Sequence, residues 1–104
     1  MSAQPAHDAF GLPPGVLPRI LAVLRAWPQI GTVILFGSRA LGTCRTGSDI
    51  DLCLTAPGLD LSELLQIETQ IDDLLLPWKI DLLLRHQIDN PDLLDHIDHV
   101  GVEL

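Results

Sequence analysis

The 104-residue sequence predicts a small α/β (α+β) domain, a mixed three-stranded sheet with helices packed on one face. Three observations predict it. Thr32-Val33-Ile34-Leu35-Phe36 is an unbroken β-branched and apolar run, the pattern of a strand covered on both sides. Two later runs, Asp49 to Thr55 and Lys79 to Leu84, alternate at the period of two that a pleated strand imposes. Around these runs, apolar residues recur at helical spacing in three segments.

Residues 1–12 are small, polar and unpatterned, and are expected to form a flexible tail, leaving 13–104 as one domain. Leu12-Pro13-Pro14-Gly15 is a turn. The helix after it carries Pro18 in its first turn, where the missing N–H costs little. Its apolar positions are Val16, Leu17, Ile20, Leu21, Val23, Leu24 and Trp27, and Trp27-Pro28 closes it. The first strand follows and stops at Gly37. Residues 38–42 fit a short helical turn, and 43–48 a loop. In the second strand Ile50, Leu52 and Leu54 share one face, and Asp49, Asp51, Cys53 and Thr55 share the other.

Asp60-Leu61-Ser62-Glu63 is a helix-start signal, with Asp60 as cap and Glu63 placed to reach back. Leu61, Leu64, Leu65, Ile71, Leu74 and Leu75 are expected to supply the buried stripe of this helix, and Pro77 follows its end. Lys79 to Leu84 is the third strand, with Lys79, Asp81 and Leu83 on one face. Asn90-Pro91 opens a last helix, whose apolar side is Leu93, Leu94, Ile97 and Val100, and Gly101 is its expected stop.

Composition narrows the function classes. Hydrophobic residues make up 47%, enough for a core, which excludes wholesale disorder. The formal charge of -8, with only six Lys plus Arg, repels nucleic-acid phosphates, so no direct nucleic-acid binding is expected. No run has the length of a bilayer span, and Met1 to Ala9 lacks the basic start and apolar stretch of a secretory leader. With Cys44 and Cys53 the only cysteines, the expectation is a cytoplasmic protein with reduced thiols.

One constellation carries chemistry. Gly37 lets a phosphate approach the backbone with no Cβ in the way, and Ser38 offers a hydroxyl and an N–H at the start of a helical turn. Arg39 and Arg45 lie in the same loop and are candidates to neutralise phosphate charge. Asp49 and Asp51, two apart on a strand, project on the same side. If the strand of Asp81 is a neighbour, three carboxylates converge. Like charges so placed raise one another's pKa, a cost that hard divalent cations remove. A pair of such ions can hold the attacking and leaving oxygens of an in-line displacement.

Gly37-Ser38, ten intervening residues, Asp49-x-Asp51 and a later strand Asp81 resemble the signature of the DNA polymerase β-like nucleotidyltransferase superfamily. Gly37 to Gly42 and Ser48 to Leu52 are most similar to its minimal nucleotidyltransferase (MNT) branch. The resemblance continues through Leu76 to Leu82 and Asp89-Asn90-Pro91, and so covers about residues 16–104. One departure is Leu41, where many relatives carry an arginine or another polar residue. The resemblance implies a polymerase β-like palm, ATP as donor, two Mg2+ ions, and transfer of a nucleoside monophosphate to a hydroxyl. It implies that Asp49, Asp51 and Asp81 are catalytic metal ligands, with Gly37, Ser38 and Arg39 on the nucleotide phosphates. It also implies a helical HEPN-type partner, which an MNT antitoxin neutralises by adenylylating a tyrosine, in a hetero-oligomer. An occluding antitoxin without catalysis, and a catalytic subunit acting on a small molecule through a separate substrate-binding subunit, are the alternatives. The sequence contains no tyrosine, so a tyrosine acceptor must lie on another chain. Its length is also too small for the helical acceptor-binding domain of larger transferases, which again points to a partner.

Plainer roles stand beside these. An isolated Asp-x-Asp is usually a solvated strand end; the Gly-Ser spacing and Asp81 raise this one above that. An EF-hand is a poor fit, because Leu52 and Leu54 fall where ligands and glycine belong. Lys79 shares a face with Asp81 and suits a salt bridge as well as a phosphate contact. His96 and His99 lie one helical turn apart, but two ligands do not make a structural zinc site, and the pair reads as a solvated face. Cys53 reads as a packing residue, and Trp78 as a core or rim residue or a base-stacking platform.

Overall fold

A computed structural model describes residues 10–104. In chain order the elements are α1 (Val16–Arg25), β1 (Thr32–Phe36), α2 (Ser38–Leu41), β2 (Ile50–Thr55), α3 (Leu61–Asp72), β3 (Ile80–Leu84), α4 (Pro91–Val100) and β4 (Val102–Glu103). The sheet runs β3-β2-β1-β4. β2 and β3 are parallel, and β1 is antiparallel to both β2 and β4. The sheet is therefore mixed and four-stranded, one strand more than the sequence pattern predicts. β4 is only two residues long, too short to show a period. It exists because Gly101 lets the chain fold back tightly: a Cβ there would collide with the Ile97 carbonyl and the Ile34 side chain. The Leu104 N–H then reaches the Val33 carbonyl at 2.9 Å.

The start signals act as read. The Asp60 side chain accepts from the Glu63 N–H at 2.8 Å, while Glu63 accepts from the Asp60 N–H at 3.1 Å, a complete capping box on α3. On α4, Asn90 Oδ1 accepts from Asp92 N–H at 2.9 Å with Pro91 at the first position. α1 has no side-chain cap; Gly15 precedes it with φ 93°. It is held by burial of Val16, Ile20 and Leu24, one stripe at i, i+4, i+8.

The helices divide between the two faces of the sheet, a correction to the one-sided arrangement expected. α1 and α3 cover the face built by Val33, Leu35, Ile50, Leu52, Leu54, Leu82 and Leu84. α4 covers the opposite face, where Ile97 packs on Phe36 and Cys53. Two-sided cover explains why β1 has no polar alternation. The α3 stripe also differs from expectation: Leu64, Ile67 and Ile71 are buried, whereas Leu61 and Leu65 are exposed, and Leu75 is 87% exposed past the helix end. Residues 64, 67 and 71 follow the 3.6 period, and 61 and 65 sit off it.

Of the tail expected over 1–12, residues 1–9 lie outside the described residues. Leu12 is part of the main core, 2% exposed, and Phe10 packs against the same cluster. Among the described residues no helix is long and apolar enough to cross a membrane.

Candidate active site

β1 delivers the chain to Gly37, which adopts φ 77°, ψ −157°, a region open in practice only to glycine. The turn reverses into α2, a single helical turn ended by Gly42 at φ 78°. Space as well as torsion demands glycine at 37. A Cβ there would press on the Asp51 carboxylate, closer than real side chains come. The atom that uses this space, expected for a phosphate, is an Asp51 oxygen.

Asp51 is set by register. It stands opposite Phe36 on β1 and directly beside Asp81 on the parallel β3, so the two carboxylates share the α4 face of the sheet. Their closeness has an electrostatic consequence. Burial, then the charges of Asp81 and Asp49 and a hydrogen bond with Asp81, push the Asp51 pKa above its ordinary value, with Arg39 pulling weakly the other way. Asp49 lies one residue before β2 and is exposed, felt by Asp51 as charge. The expected convergence is thus of two carboxylates with a third alongside. Among the described residues no three acidic, histidine or cysteine side chains form a group that holds a metal unaided. Lys79 resolves as a salt bridge to Asp81, Nζ to Oδ1 3.6 Å, at an exposed site where such pairs contribute little.

Arg39 does not point at a phosphate site. It is 2% exposed, and its guanidinium is spent on backbone carbonyls. Nε and Nη2 donate to Ser48 O at 3.2 and 2.7 Å; Nη1 donates to Phe10 O at 2.8 Å and Gly11 O at 3.3 Å. The Trp78 ring lies 5.9 Å from its charge, which makes Trp78 a cation–π neighbour of Arg39. Arg45 closes the loop by donating its N–H to Ser48 Oγ at 2.9 Å.

His96, expected with His99 on a solvated face, is instead half-buried and turned toward the glycine turn. Its Nε2 accepts the Gly37 N–H at 3.1 Å, and its ring meets Phe36 edge-on at 6.1 Å and 80°. His99 turns elsewhere, Nδ1 to Asp95 O 2.8 Å, so the two histidines share no site. A histidine on the apolar side of α4, in phase with Leu93 and Val100, was the available signal.

The glycine-serine turn is thus held against one of two paired carboxylates at the end of a mixed sheet. The chain belongs to the polymerase beta nucleotidyltransferase family, whose profile matches residues 19–104. Solved structures agree with the fold. A toxin–antitoxin crystal structure with AMP-PNP is 25% identical, with TM-score 0.69 over 83% of this chain and 69% of that one. A complex of tri-AMPylated Shewanella oneidensis HEPN toxin with MNT antitoxin is similar at 21% identity and TM-score 0.64, over 85% of this chain and 67% of that one. A nucleotidyltransferase-like protein of Sulfolobus solfataricus shares the fold at 15% identity and TM-score 0.51, over 98% of this chain and 87% of that one. No curated protein sequence matches the chain.

Proposed function

We propose that this protein transfers AMP from ATP, with release of pyrophosphate, to a hydroxyl, a tyrosine hydroxyl in this reading, of a helical HEPN-type partner, and acts as its antitoxin in the cytoplasm. The observation that carries the proposal is Asp51 beside Asp81 in register, with the Gly37 turn against Asp51. Family membership and the likeness to MNT–HEPN complexes support it.

The residues present fit magnesium. The donors are carboxylate oxygens, the pair is strained by like charge, and Mg2+ takes one or two carboxylates and completes its shell with water and substrate phosphates. Asp51 and Asp81 would hold it, with Asp49 at the rim serving a second ion. When bound, the metal supplies charge neutralisation at the phosphates. The chain's own groups do the rest. The Ser38 hydroxyl and N–H face the phosphates from the turn. Asp81, whose side chain is 40% exposed, accepts the proton of the incoming hydroxyl. Arg39 keeps the loop bearing Asp49 in place. Because the sequence contains no tyrosine, a tyrosine acceptor comes from another chain.

Asp81→Asn separates catalysis from occlusion. Co-expressed with the toxic partner, the variant should still form the complex and fail to relieve toxicity. Full relief by Asp81→Asn would mean that contact alone neutralises the partner.

A further inference from the structure

Gly37 and His96 come from elements 59 residues apart, yet they meet at the amide the phosphate turn presents. The imidazole is positioned by more than that bond. Its ring packs edge-on against Phe36, and the next residue, Ile97, is buried under the sheet. For Nε2 to accept, the ring proton must sit on Nδ1. The lone pair of His96 therefore stands where an acceptor oxygen on Gly37 would stand.

We infer that His96 belongs to the nucleotide site, where it holds the Gly37 amide in place of a phosphate and yields it when a nucleotide binds. The inference rests on the nucleotide reading above. An N–H beside a half-buried carboxylate is costly to leave unpaired, and the imidazole satisfies it until substrate arrives. A triphosphate oxygen, being charged, is the stronger acceptor and displaces it. The same exchange loosens one tie between α4 and the turn, so α4 reports whether the site is filled.

Magnesium AMP-PNP titrated into the full chain, His96→Phe and His96→Gln tests this. Phe keeps a ring against Phe36 but has no acceptor; Gln keeps an acceptor oxygen. With no bond to break, His96→Phe should bind about five-fold more tightly, the factor that matches one net hydrogen bond of about 1 kcal/mol. His96→Gln should bind like wild type. Equal or weaker binding by His96→Phe overturns the inference. As a check independent of any variant, the Nε2 resonance of wild-type His96 should shift on saturation with nucleotide, and an unmoved resonance also overturns it. If wild type binds no AMP-PNP, the nucleotide reading itself falls, and this inference with it; if wild type binds and only the variant ratio is wrong, this inference alone falls.

Discussion

Arg39 holds Ser48 by its carbonyl with two N–H groups, at 2.7 and 3.2 Å. The bond joins the turn after β1 to the residue before Asp49, so the two halves of the site move as one piece. A third donor anchors Phe10 and Gly11 to the same guanidinium. Among the described residues no carboxylate forms a salt bridge with this buried charge; several carbonyl dipoles and the Trp78 face surround it.

Arg39→Ala should therefore destabilise the fold by about 2–4 kcal/mol, since it empties a packed site and strands the carbonyls it served. Arg39→Lys should recover only part of this, because an ammonium lacks the fork that meets Ser48 twice. Urea unfolding followed by Trp78 and Trp27 fluorescence measures both. A loss below about 0.5 kcal/mol for Arg39→Ala would contradict the strut role.

Gly37→Ala introduces a Cβ at φ 77° and against the Asp51 carboxylate. The strain of the torsion alone costs on the order of 1 kcal/mol or more. Displacing Asp51 should also abolish magnesium-dependent binding of AMP-PNP. Calorimetry on the folded variant checks it: wild-type affinity would show that the close approach is dispensable.

Asp51 sets a pH dependence whose sign follows from its raised pKa. The folded state holds that proton more tightly than the unfolded chain, so stability of the metal-free protein falls as pH rises from the ordinary 3.8 through the raised folded value. Metal-free Asp51→Asn should lose that slope and melt above metal-free wild type near neutral pH. Added magnesium should raise the melting temperature of wild type, by binding only the folded pair, and leave Asp51→Asn nearly unmoved. Thermal melts across pH, with and without magnesium, decide it.

Asp60→Ala is the contrasting case. It removes half of the capping box on α3 and should cost about 1 kcal/mol in stability. Because α3 lies on the face away from Asp51 and Asp81, nucleotide affinity should be unchanged. A drop in affinity in the folded variant would mean that the two faces communicate.

Much of this architecture was legible because local chemistry and tertiary context agree. Asp60 with Glu63 and Asn90 with Pro91 mark helix starts that bond as their types require. The period-two runs place Asp51 and Asp81 on one face, and their strands prove to be neighbours. The misreadings share a different cause. Arg39 beside a glycine-serine turn suits a phosphate contact, and nothing local reveals that Phe10 folds over it. His96 reaches Gly37 only because α4 crosses to the far face, a choice made by Phe36, Cys53 and Ile97 packing together. β4 depends on a chain reversal at Gly101 that two residues cannot announce. Contacts between distant segments, not element types, were the hidden part.

The most direct measurement follows ATP labelled in its α-phosphate, mixed with magnesium, this protein and its co-purified partner chain. The account predicts that label appears on the partner with wild type, and not with Asp51→Asn or Asp81→Asn. Equal labelling by wild type and both variants, or none by any of them in a complex that forms, would contradict it.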